Sequence, residues 1–172
     1  PRVGTNPIAM AAPTRQEPPF VLDMATSVVA ANKITLARRN GMALNPGWLA
    51  DEDGTPILEP LLMGPPEPGD PPYPARLLPL GSTREMGSHK GYGLACMVEI
   101  LCGILSGAGF GMMSDAAETP HFVAAYDVAA FTDVDQFKEM MDEWLRMLKS
   151  TKPAPGHDRV LVAGQPEAEM ET

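Results

Sequence analysis

The chain has 172 residues and sets 13 Lys+Arg against 22 Asp+Glu, a formal net charge of −9, so its field repels polyanions and argues against nucleic acid or an anionic membrane surface as partner. The length suits one domain with a core of its own, and an apolar share of 44% with 20% charged residues is ordinary for a folded protein, although 19 prolines are not. No apolar run approaches the roughly 18 residues a membrane span needs, so the chain reads as soluble.

Ile8–Ala12 and Phe20–Asp23 are short apolar runs separated by the polar, proline-bearing segment Pro13–Pro19, which predicts a hairpin. Thr26 and Ser27 can cap a helix carrying Val28, Val29, Ile34 and Leu36, ended by Asn40-Gly41 in a left-handed cap. From Gly41 to Gly81 no periodicity survives. Nine prolines between Pro56 and Pro79 favour a loop, 55–80, of extended chain. Within it Pro65–Pro74 suits an aromatic-lined groove, which would make the chain a non-catalytic interaction module. Asp51-Glu52-Asp53-Gly54 resembles the start of a calcium loop but lacks the later ligands, and reads as an acidic turn.

Gly91–Leu105 is apolar on nearly every side and predicts a central buried helix stopped by Gly107 and Gly109. Cys96 and Cys102 lie six residues apart on it, about 9 Å along a helix axis, too far for a disulfide. Two unpaired thiols suit a reducing, cytoplasmic setting. Phe122–Phe131 predicts a strand. Asp133 with Gln136 predicts a capped helix whose Val134, Phe137, Met141, Trp144, Leu145 and Leu148 share one face, with Lys138, Glu139, Asp142 and Arg146 on the solvated one. Val160–Val162 reads as a short strand, and the acidic end from Glu167 has nothing to pack.

The best local signal for chemistry is Gly87-Ser88-His89-Lys90-Gly91-Tyr92-Gly93, where glycines permit close backbone approach and a helix start favours an anion near Lys90. It is neither a Walker motif nor a dinucleotide fingerprint. Asp23 ends a strand, where it could accept from a ribose diol or cap the next helix. Thr5-Asn6 before Pro7 reads as a polar turn. His89, His121 and His157 lack the spacing of a zinc site, and no nucleophile stands in an activating context.

Taken in order, Gly4-Thr5-Asn6-Pro7, Leu22-Asp23-Met24-Ala25-Thr26-Ser27, Pro46-Gly47-Trp48, Leu78-Pro79-Leu80-Gly81, His89-Lys90-Gly91-Tyr92-Gly93-Leu94, Glu99-Ile100-Leu101 and Val160–Gly164 resemble the malate/L-lactate dehydrogenase family. The resemblance implies an oxidoreductase moving a hydride between NAD or NADP and a small 2-hydroxy or 2-keto acid, as a homodimer. It implies an α/β fold of the α+β type, a non-Rossmann nicotinamide-cofactor-binding domain with a mixed or mostly antiparallel sheet and the central buried helix. Residues 1–172 then form a single partial domain of a longer enzyme. The resemblance further places cofactor contacts on Pro19, Phe20, Val21, Leu22, Asp23, Met24 and Ala25, on His89 and Lys90, and on Gly164, Gln165 and Pro166. The family's catalytic histidine sits in a Ser-His-Gly segment that does not occur here, so the chain alone is expected to be inactive and to hold no catalytic residue. Ala163 stands where the family usually has proline.

Overall fold

The computed structural model describes residues 3–59, 76–111 and 119–170. They belong to two compact units, Pro1–Pro7 with Ala25–Phe122 and Ile8–Met24 with Val123–Thr172.

The core of the first unit is Ile34, Ala37, Leu44 and Leu49, ringed by Val29, Trp48, Ile57 and Leu77. Helix α1 (Ala31–Arg39) delivers Ile34 and Ala37, three residues apart on one face. Its end follows the sequence, with Asn40 donating to Leu36 and Gly41 at φ +62°. Its beginning does not. The N-cap is Ala30 and no side chain caps it, because Thr26 and Ser27 are used elsewhere. The Thr26 hydroxyl donates to the carbonyls of Thr5 and Asn6, Leu80 N–H donates to Thr26, and Val28 N–H donates to Leu78. Thr26 is therefore buried as a stitch between two backbone segments, and Ser27 donates to Val29 instead of capping.

The region expected to be loop contains a small antiparallel sheet, in which β3 (Leu49–Ala50) lies between β4 (Pro56–Ile57) and β5 (Arg76–Leu77). Strands of two residues are too short to leave an alternating pattern, and Pro56 is tolerated because β4 is an edge. The acidic turn between β3 and β4 is as expected, Asp51 accepting from the N–H groups of Asp53 and Thr55. The proline-rich segment Pro65–Pro74 lies outside the described residues.

Helix α2 (Ser88–Glu99) runs on into a π-helical turn, Ile100–Ile104, closed by the Leu105 N–H donating to Ile100. Gly107 and Gly109 end it at φ +79° and +93°. The helix is not centrally buried as expected. Its buried residues are Gly91, Ala95 and Gly103, while Tyr92, Met97, Ile100, Ile104 and Leu105 are exposed. The small residues form the contact face because backbone must lie against it. A Cβ on Gly91 would sit 2.2 Å from the Leu80 carbonyl oxygen, and one on Gly103 2.3 Å from that of Gly109. Both cysteines are free.

In the second unit β1 (Ile8–Ala12) and β2 (Phe20–Met24) form the expected antiparallel hairpin, Met10 opposite Leu22. Helix α3 (Val134–Lys149) starts where the capping signal places it, the Asp133 carboxylate accepting from Gln136 N–H at 2.8 Å. Leu145 is buried and Phe20 packs on Trp144 with ring centroids 6.0 Å apart.

Asp142 departs from its expected solvated position. It is buried, and its carboxylate accepts from the backbone N–H groups of Arg15, Gln16 and Glu17 at 3.1, 2.9 and 3.2 Å. The turn of the hairpin wraps this carboxylate, which satisfies three donors at once and holds the loop to α3. Phe122–Phe131 is not a strand. No strand pairs with it among the described residues, and it is open chain ending in a 3-10 turn, Val128–Ala130, capped by Asp127. Val160–Val162 is likewise outside any strand, and the next residue, Ala163, accepts from Val21 N–H of β2. The acidic end is a short helix, α4 (Gln165–Met170), whose Glu169 accepts from both Arg159 and Gln165. No helix among the described residues is long and apolar enough to cross a membrane.

Candidate functional site

Within the second unit a groove of about 790 Å³ is lined by β2, by Pro18 and by the turn leading into α4. The turn presses onto the strand because Gly164 has φ +84° and no side chain. A Cβ there would come within 3.0 Å of Val21 Cβ and 3.1 Å of its nitrogen. Gly164 is thus required twice, for its left-handed backbone and for the close approach. Val21, Leu22, Leu161 and Val162 give the groove apolar walls, and Asp23 and Glu167 bring carboxylates to it.

Of the residues assigned to a cofactor from the sequence, Pro19, Val21, Leu22, Asp23, Gly164 and Pro166 line this groove together. Phe20 instead faces Trp144, and Met24 pairs with Ile8. The Gln165 side chain is held by Glu169 and by Val162 N–H. Asp23 does not cap the next helix, whose N-cap is Ala30. It remains an exposed strand residue opposite Ala9.

Ala25, His89 and Lys90 belong to the first unit. There Gly87, at φ +86°, turns the chain into α2 with Ser88, His89 and Lys90 in the first turn. A second groove, about 520 Å³, is lined by Leu78, Pro79, Ser82, Arg84, Ser88, His89 and Tyr92. Both Ser88 and His89 reach it, and so does Arg84, a cation that sequence reasoning missed because an isolated arginine in an irregular turn has no distinguishing pattern. Lys90 is exposed beside Gly87. Gly91 is occupied by packing against Leu80 and is not open to a ligand.

Thr5-Asn6 is more than a turn. Asn6, at φ +37°, donates through Nδ2 to the carbonyl of Ala95 and to Glu99 at 2.9 and 2.8 Å. Glu99 also accepts from Gly111 N–H at 2.6 Å. A cavity of about 350 Å³ beside them is lined in part by Cys102 and His121. The signal in sequence is the pairing of an Asn before proline with an acidic residue inside an apolar helix, which becomes legible only once the two are adjacent. No group of three or more metal-ligating side chains forms among the described residues.

Electrostatics are concentrated around α3. Burial pushes the Asp142 carboxyl up, but three backbone N–H groups and Arg146 outweigh it and hold the group below its ordinary value. Lys149, hydrogen-bonded to Glu17, lowers that carboxyl against the effect of burial, and Arg146 adds to it. Glu169 is held down to about 2 from an ordinary 4.5, first by Arg159 and then by Gln165.

The chain is thus a small mixed α+β protein with an apolar groove between a hairpin strand and a glycine turn. The sequence profile of malate/L-lactate dehydrogenase matches residues 1–172. A malate dehydrogenase of Pyrococcus horikoshii is 37% identical over 171 residues, covering 95% of this chain and 44% of the relative. The crystal structure of malate dehydrogenase from Entamoeba histolytica superposes with TM-score 0.76 at 30% identity, covering 98% of this chain and 48% of that one. The sulfolactate dehydrogenase structure from Methanocaldococcus jannaschii gives 0.72 at 31%, covering 96% and 45%. Other relatives carry NAD(+) or NADP(+) in their names. The chain belongs to the malate/L-lactate dehydrogenase family and spans about half the length of the curated relatives it matches.

Proposed function

We propose that this chain is the cofactor-holding part of an oxidoreductase that moves a hydride between NAD or NADP and a small 2-hydroxy or 2-keto acid. Family membership supports the reaction class. The observation that carries the site is that Pro19, Val21, Leu22 and Asp23 line one groove with Gly164 and Pro166, far away in sequence.

The groove fits a nicotinamide dinucleotide by its own chemistry. Its volume is in the range of small-molecule sites, its walls suit a flat ring, and Asp23 can accept from a ribose diol. The bound group supplies the hydride donor or acceptor. Val21 and Leu22 exclude water from one side, Gly164 keeps the turn close to the strand, and Asp23 orients the sugar. Taken by itself, the start of α2 in the first unit offers Arg84, His89 and Lys90 as positive or donor groups for an anion such as a phosphate. The proton that accompanies the hydride comes from the histidine the family carries in its Ser-His-Gly segment, outside this sequence. A non-Rossmann fold type, a homodimer and a cytoplasmic setting are part of the same reading.

Titration of the chain with NADH, followed by fluorescence and repeated with His89→Ala and Lys90→Ala, tests this. Saturable binding weakened about tenfold by either substitution is expected from the loss of one charge-assisted contact. Affinity unchanged in both variants removes them from the site. Turnover of malate, lactate or 2-keto acids by a protein carrying this chain together with the Ser-His-Gly segment tests the reaction.

A further inference from the structure

Resting on the cofactor reading above, we infer that the groove between β2 and the Gly164 turn selects the unphosphorylated cofactor, NAD(H) over NADP(H), because its charged lining is Asp23 and Glu167 without a cation. Twelve residues line it, and none is lysine, arginine or histidine. The nearby cations are committed. Arg159 is paired with Glu169, and Lys149 and Arg146 with Glu17. Both Asp23 and Glu167 are exposed and can face a ligand.

The two cofactors differ by one group. An ionised carboxylate is an acceptor only, which suits the hydrogens of a ribose diol. A 2′-phosphate has no hydrogen to offer at that place and brings further negative charge toward two carboxylates. Its usual partner is an arginine placed for it, and the described lining supplies none. The rest of the groove is apolar and contributes equally to both cofactors, so discrimination falls to these two side chains. The chain's net charge of −9 acts in the same direction, since it repels the more highly charged ligand.

Equilibrium titration of the chain with NADH and with NADPH decides the point, using Asp23→Asn, Glu167→Gln and Glu167→Lys. NADH is expected to bind at least about tenfold more tightly. Asp23→Asn and Glu167→Gln should each narrow that ratio, and Glu167→Lys should strengthen NADPH while weakening NADH little. Both positions are exposed, so folding is not at stake. Equal affinities, or tighter NADPH, overturn the selectivity and leave the cofactor groove standing. No saturation by either cofactor, from a chain whose circular dichroism keeps its helical signal, overturns the groove assignment and the selectivity together.

Discussion

Among the described residues, Ile34, Leu49 and Thr26 are the large side chains of the first unit with almost no exposure, whereas in the second unit Leu145 stands alone and the buried residue one turn away from it is a carboxylate. The first unit orders itself around apolar side chains packed on a three-stranded sheet. The second has a hairpin, a helix and a turn, and it joins the first two through Asp142 and the cluster of Glu17, Arg146 and Lys149. Apolar burial is non-directional and indifferent to pH, while a carboxylate accepting three N–H bonds fixes one loop geometry and depends on its charge. The loop leading into the strand that lines the candidate groove is therefore held by the directional interactions, while the strand's Phe20 packs on Trp144.

Four perturbations break or sharpen this contrast. The largest effect is expected from Ile34→Ala, which leaves a cavity at a site with 0% exposure and costs about 2–5 kcal/mol. Urea unfolding should show this loss nearly unchanged between low and high salt, and a strong salt dependence would contradict the apolar account.

Acid should act the other way. Asp142, Glu17 and Glu169 are held below their ordinary values in the folded chain, so their contribution is complete at neutral pH. It is lost as pH falls from the ordinary carboxylate range through the folded values, toward about 2 for Glu169. Hydrogen exchange read by mass spectrometry should find residues 15–17 deprotected at a higher pH than α1. Asp142→Asn at neutral pH should reproduce this by lowering protection of those three amides about tenfold. Simultaneous loss in both units would mean that the polar cluster is not what holds the hairpin turn.

The smallest effect is expected from Asp133→Ala. It removes the N-cap acceptor of α3 and costs about 1 kcal/mol. It should lower the midpoint of the second unit without altering exchange in the first.

The sequence made α3 legible because a 3.6-residue apolar period and a capping Asp agree with each other. The hairpin was legible for a similar reason, two apolar runs split by a proline-bearing polar segment. The ordered motifs were enough to indicate the family, since each is weak but their order is not. Asp142 was not legible, because its letter is the same whether it faces solvent or three amides. Nor were β3, β4 and β5, whose two-residue lengths are below any periodic signal.

Local propensity, capping and chain order are properties of neighbouring residues, and those the sequence determined by itself: α3, the end of α1 but not its start, the β1–β2 hairpin, the glycine stops and the family. What the tertiary structure decided depends on distant residues meeting. Gly91 lies against Leu80 and Gly164 against Val21, Thr26 joins the segments of Thr5 and Leu80, and Asp142 gathers the amides of Arg15 to Glu17. In each pair the small or polar residue is chosen by a backbone far away in sequence, so no local window contains the reason for it.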